Sequence, residues 1–304
     1  MPSDKATATR SPATGTPTPT LIDEPLPREV ADTLNGFALL AGGANVIMQL
    51  SQLPIGHGVA LSKVESGRVD LHPFKRLRTT ASFLAISMTG SVEDRIGLRR
   101  EIGRAHVQVR SEPGDAVQYS AFDSELQLWV ASCLYYGIED VFRRMYGRWP
   151  TREERVRMLH YGRRLGTTLQ VTDEMWHTTP EAFDRYWHAG LANARMDDLT
   201  RGHLQDIATQ RFLFTRLLRF GWPVELMAKL LAIPASFMTI GFLPAPLQEE
   251  LGLPWSTKAQ RRHDRIFNTL AWGAARVPLR LRMLPVTFNA WETRRRLRKG
   301  RPVV

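Results

Sequence analysis

The chain has 304 residues, 43% of them hydrophobic, and a formal net charge of +11, so it can bury a substantial core in one large domain or two small ones. A single cysteine, Cys133, excludes an intramolecular disulfide framework and any zinc or iron–sulfur site built from several thiolates, and suits a reducing compartment. Residues 291–304 hold six basic side chains (Arg294, Arg295, Arg296, Arg298, Lys299, Arg301) against Glu292, which leaves +6 for the other 290 residues; the body is only mildly basic and nucleic-acid binding is not expected.

Residues 1–28, "MPSDKATATRSPATGTPTPTLIDEPLPR", lack the apolar run of a secretory signal and read as a disordered lead-in rich in Thr, Pro, Ala and Ser. The folded part is expected over 29–290, followed by a basic tail over 291–304 that either frays into solvent or touches an anionic membrane surface. This organisation predicts a cytoplasmic or peripheral membrane protein without a signal peptide or transmembrane helix.

The elements read as helices. "DTLNGFALLAGGANVIMQL" (32–50) is an apolar helix interrupted at Gly42-Gly43, or two short helices, with the glycines permitting close helix approach. Ahead of the next helix, His57 and His72 stand beside glycine and proline and are placed in a loop. "PFKRLRTTASFLAISMTG" (73–90) carries a stripe at Phe74, Leu77, Ala81, Leu84 and Met88, with proline at its start and Gly90 as its stop. On "RREIGRAHVQVRS" (99–111), Leu98, Ile102, Ala105 and Val109 form the apolar face, and His106 sits on its edge. "FDSELQLWVASCLYYG" starts on Asp123 as N-cap, with Cys133 on its buried side. Thr151 and Glu154 make a capping box, and Thr179 caps a helix with Pro180 in first position. "VELMAKLLAIPASFMTIGFLPAPL" (224–247) nearly reaches spanning length, but Glu225, Lys229, Pro234, Pro244 and Pro246 make it a buried or surface-docked helix pair. No strand alternation or internal repeat is present, and the class is all-α.

Phosphate loops, dinucleotide fingerprints, nucleophile elbows and paired-histidine metalloprotease motifs are absent. His160, His177, His188, His203 and His263 neighbour polar residues and read as surface or cap residues. His106 admits two readings, a core histidine bonded to a carbonyl or an axial ligand to haem iron in an apolar cavity. Arg76 and Thr80 share one helix face, with Arg78 and Thr79 turned away. The pair fits the wall of a distal oxygen-binding pocket, or a surface arginine beside a threonine bonded into its own helix.

The segments "LLAGGANVIMQLSQLPIGHGVA", "HPFKRLRTTASFL", "EIGRAHVQV", "YSAFDSELQLWV", "YGRWPTREERVRMLHYGRRLG", "TPEAFDRYW" and "FLPAPLQEELGLPW", in this order, resemble the family joining rubber oxygenase (latex clearing protein) and the mycophenolic-acid oxygenase MpaB. The resemblance implies a single large globin-like helical domain enclosing haem b, with His106 as proximal iron ligand. It places Arg76 and Thr80 on the distal side, where dioxygen meets a hydrophobic substrate of the alkene or isoprenoid kind. Thr79 stands where rubber oxygenase has a lysine able to contact the iron, and Glu65 is the nearest upstream carboxylate but does not match the spacing of that family's base. Two alternatives to a haem-dependent oxygenase remain: a haem protein without turnover, and a haem-free helical module docking to a membrane or partner.

Overall fold

In the computed structural model, which describes residues 24–61, 72–211 and 224–303, a long central helix organises the rest. The helices are α1 (Arg28–Ala31), a 3-10 turn over Gly36–Ala41, α2 (Gly42–Leu50), α3 (Leu53–Ala60), α4 (Pro73–Thr89), α5 (Val92–His106), α6 (Ser124–Tyr146) and α7 (Arg152–Thr167). They continue as α8 (Pro180–Asn193), α9 (Asp198–Thr209), α10 (Val224–Ile240), α11 (Ala245–Leu251), α12 (Thr257–Arg276), α13 (Leu279–Arg282) and α14 (Leu284–Arg298). The only β-type pairing among the described residues is an isolated bridge, Arg110 to Ser120, so the fold is all-α. The lead-in up to residue 23 and Glu65 lie outside the described residues.

Local chemistry sets many of the boundaries. Asp123 Oδ1 accepts from the amides of Glu125 and Leu126, satisfying donors that the first turn of α6 leaves unpaired. Gly147, at φ 67°, ends that helix in the left-handed region. The capping box at Thr151 and Glu154 starts α7, and Thr179 with Pro180 starts α8. The 32–50 segment divides at Gly42, where the 3-10 turn gives way to α2. A side chain on Gly43 would press within 3.3 Å of Thr239, whereas Gly42 has open space around it.

Central helix α6 packs against α2, α7 and α12. Its Trp129, Cys133, Tyr135 and Phe142 are buried in the main core with Trp176, Phe183 and Trp187. Trp129 stacks on Trp187 at 5.2 Å, and a Cβ on Gly190 would lie 2.1 Å from the Trp129 ring, so only glycine fits there. Charges inside this core are paired: Arg155 bridges Glu139 and Asp184, and Arg282 meets Asp32 at 2.9 Å.

Several sequence expectations are corrected. Leu77 is exposed while Thr79 and Ser82 are buried, so the inner face of α4 is rotated from the predicted stripe. His57 lies in helix α3, not a loop, and its Nε2 sits 2.6 Å from Asp197 Oδ2. His263 is fully buried, edge-on to Phe242 and stacked on Phe267. The boundary placed at 291 falls inside α14, which packs on α4 and α5. Arg294 there donates to Asp94 at 2.7 Å and to the Thr89 carbonyl at 3.1 Å, and Val303 is buried. The 224–247 segment forms α10, with Pro234 inside it, and the start of α11, and Ile240, Phe242, Leu243 and Leu247 are buried. No single helix among the described residues is long and apolar enough to cross a membrane; Gly36–Leu50 with Leu53–Ala60 passes on length and composition only as a pair, bent by 111°.

Candidate active site

Helices α3, α4, α5 and α6 line one cavity of about 240 Å³ that opens to solvent. Its walls are mostly apolar: Leu50, Ile55 and Val59 from the α2–α3 side, Phe83 from α4, Leu98 and Ile102 from α5, and Val130 and Leu134 from α6. Ligand sites are commonly of this kind, an apolar concavity with a few placed polar groups. The polar groups include Arg76, Thr79 and Thr80 on α4, His106 on α5, and Gln127 on α6.

His106 is the last residue of α5. Beyond it the chain turns back through Gly114 (φ 100°), and this reversal is knitted by backbone bonds. The Val109 amide donates to the His106 carbonyl at 2.9 Å, and the Ala121 amide donates to the Val109 carbonyl at 2.9 Å. The loop thus brings Ala121 and Phe122 beside the imidazole, whose ring meets Phe122 edge-on at 6.3 Å. Gln127 fixes this arrangement from α6. Its Nε2 donates to the Ala121 carbonyl at 2.5 Å, and its Oε1 accepts from the Gln170 amide at 2.6 Å.

Burial and the nearby Arg76 charge push the His106 pKa down to about 4, against a partly offsetting hydrogen bond to the Ala121 backbone. The imidazole is therefore neutral at physiological pH. Its Nδ1 is buried without a hydrogen-bond partner. Ring nitrogens of His177 and His263 lack a hydrogen-bond partner in the same way, and what sets His106 apart is its place on the cavity wall.

Arg76 is the second anomaly. Burial lowers its pKa, and among the described lining residues there is no carboxylate to neutralise it. Such a cation is costly to bury without an anion. The Thr79 hydroxyl donates to the Arg76 carbonyl at 2.9 Å, tying it to its own helix. Thr79 also lines the cavity beside Thr80, so it is not turned away from the Arg76 face as its spacing predicted.

The structure thus brings the three sequence-predicted residues, Arg76, Thr80 and His106, to one cavity. Sequence reasoning missed Gln127 and Thr79; the position of Gln127 four residues after a strong N-cap was the only local signal available. The described donors fit haem b in kind: a neutral imidazole nitrogen with a free lone pair, a guanidinium suited to a carboxylate, and apolar walls.

Comparison with known proteins assigns the class first: residues 30–275 match the catalytic domain of a group of oxygenases. The chain belongs to the family described as ER-bound oxygenase mpaB/B'/rubber oxygenase, catalytic domain. It is 38% identical over 267 residues to an uncharacterized protein of Mycobacterium bovis, covering 88% of this chain and 100% of the relative. An uncharacterized protein of Mycobacterium tuberculosis matches with the same identity and coverage. No solved structure matches.

Proposed function

We propose that this protein is a haem-b-dependent oxygenase acting on a hydrophobic substrate, with His106 as the iron ligand and Arg76 and Thr80 on the opposite side. The observation that carries this reading is that a neutral imidazole with no partner at its Nδ1 and a guanidinium with no carboxylate beside it, both among the described residues, share one apolar cavity. Haem b, when bound, supplies the activation of dioxygen, which no protein side chain can perform alone.

The chain's own residues have separable tasks. His106 offers a lone pair, and the backbone of Ala121, held by Gln127, fixes the orientation of its ring. Arg76 presents a fork of donors to an anionic group, either a carboxylate of the cofactor or charge developing during the reaction. Thr80 adds a hydroxyl on the same helix face. Phe83, Ile102, Val130 and Leu134 exclude water and accept an apolar substrate, for which an alkene or isoprenoid is the fitting class. Thr79 stands where the resemblance puts the lysine of rubber oxygenase, so a step that uses that lysine is not available to this chain.

The test is oxygen consumption by protein reconstituted with haem b, in the presence of an aliphatic alkene. Substrate-dependent uptake is expected, reduced about 100-fold or more in Arg76→Ala, the scale typical for losing a preorganised donor. Haem uptake without any substrate-dependent oxygen consumption would reduce the protein to a carrier or sensor.

A further inference from the structure

The net charge is concentrated in one part of the chain. Residues 257–304 contain 13 lysines and arginines against only Asp264 and Glu292, so this region accounts for the whole +11 and the remainder is neutral. Both acids are already engaged, Asp264 with Arg144 at 3.2 Å and Glu292 with Arg296 at 2.8 Å. Along the same run, Leu270, Trp272, Leu281, Leu284, Phe288 and Trp291 are each 50–60% exposed.

The two properties interleave. On α14, Leu284, Phe288, Trp291 and Arg295 recur at spacings of four, three and four, a single exposed stripe that passes from apolar to basic. The other side of that helix buries Ala290 and Thr293. The Arg276 guanidinium lies over the Trp272 ring, and that of Arg295 lies 5.7 Å from the centre of Trp291. Large exposed apolar side chains in such numbers mark an interaction surface.

We propose that α12, α13 and α14 form a surface that docks the protein on an anionic lipid bilayer, with arginines at the phosphate headgroups and the Trp, Phe and Leu side chains seated below them. The bilayer interface is the partner that accommodates both halves of this pattern. A duplex nucleic acid would pair the arginines but leave Leu270, Leu281 and Leu284 in water. A two-fold contact with a second copy would set the same basic patch against itself. Helix α14 packs directly on α4, the helix that brings Arg76 and Thr80 to the cavity, so docking would hold the cavity close to a phase in which apolar molecules dissolve.

Flotation of the full chain with vesicles tests this, using phosphatidylcholine alone or mixed with phosphatidylglycerol, at low and high salt. Binding is expected only to the anionic vesicles and weakens with salt. Arg280→Gln with Arg295→Gln should weaken it about fivefold per charge removed. Phe288→Ser with Trp291→Ser should weaken it while leaving helical circular dichroism unchanged, because both side chains are exposed. Equal binding to neutral vesicles, or no flotation at all, would overturn the proposal. So would duplex DNA binding without vesicle binding, or self-association that the Phe288→Ser/Trp291→Ser variant abolishes.

Discussion

Gln127→Leu isolates the support of the imidazole from the imidazole itself. The side chain is buried, and leucine approximates its volume while removing three hydrogen bonds, at 2.5 Å to the Ala121 carbonyl, at 2.6 Å from the Gln170 amide and at 3.3 Å to Gln170 Oε1. A buried backbone group left without its partner costs about 1–3 kcal/mol. Ala121 and Gln170 are only partly buried, so water repairs some of the loss and about 2 kcal/mol is expected in total. For a chain of this size that corresponds to a fall in Tm of about 3 °C. The same change frees the 107–123 reversal, so the His106 ring should lose its fixed orientation and its amide neighbours should exchange faster. Thermal melting and hydrogen exchange read the two effects separately, and Gln108→Ala, at an exposed position in the same loop, serves as the control. If Gln127→Leu melts like wild type and exchange over 107–123 is unchanged, the positioning role assigned to Gln127 is wrong.

Three other outcomes follow from the charges. Burial, with the nearby Arg144 charge adding to it, pushes the His263 pKa down to about 4, below the ~6.5 of an unfolded histidine, so the unfolded chain binds the extra proton first as pH falls. Stability should therefore drop between about pH 6.5 and 4, by up to about 3 kcal/mol from this residue, and denaturant titrations of His263→Phe should show that slope flattened by one proton. Arg76→Leu removes a half-buried cation with no carboxylate among the described lining residues, so the haem-free protein should keep its stability or gain up to about 1 kcal/mol while losing affinity for the cofactor; calorimetry and haem titration on the same variant check both. Arg282→Met should destabilise by about 2–4 kcal/mol in urea titration, because buried Asp32 then keeps only Tyr146 and the exposed Arg28, 3.7 Å away, as partners.

What the sequence disclosed, and what it hid, divides along the range of the interactions involved. Asp123, Thr151 with Glu154, and Thr179 with Pro180 act within one helical turn, so the starts of α6, α7 and α8 were readable. Arg76, Thr80 and His106 line one cavity, and what singled them out, four-residue spacing and the edge of an apolar stripe, is local. The rotation of α4 was not readable. Its buried side is decided by α14, some 200 residues later, and by the cavity. The "LPIGHGVA" segment hid α3 because proline and two glycines are poor helix formers. Those glycines are explained by tertiary contact: a Cβ on Gly56 would lie 2.7 Å from Thr200, and one on Gly58 3.1 Å from the Tyr119 ring. Polar neighbours made His263 look superficial, but Gly241 opens the space that its ring fills, since a Cβ there would lie 2.2 Å from it. The charge run at the C-terminus concealed a docked helix, because Arg294 finds Asp94 only in three dimensions.

Under the proposed function, the unpartnered nitrogen of His106 holds iron. The most direct measurement is the absorption spectrum of the protein loaded with haem b, compared with His106→Gly before and after adding free imidazole. A Soret band is expected for the wild type, its loss or displacement in His106→Gly, and its return when imidazole fills the space left by the side chain. A wild type that takes up no haem, or a variant whose spectrum matches the wild type without imidazole, would contradict it and leave His106 as a histidine of the cavity wall alone.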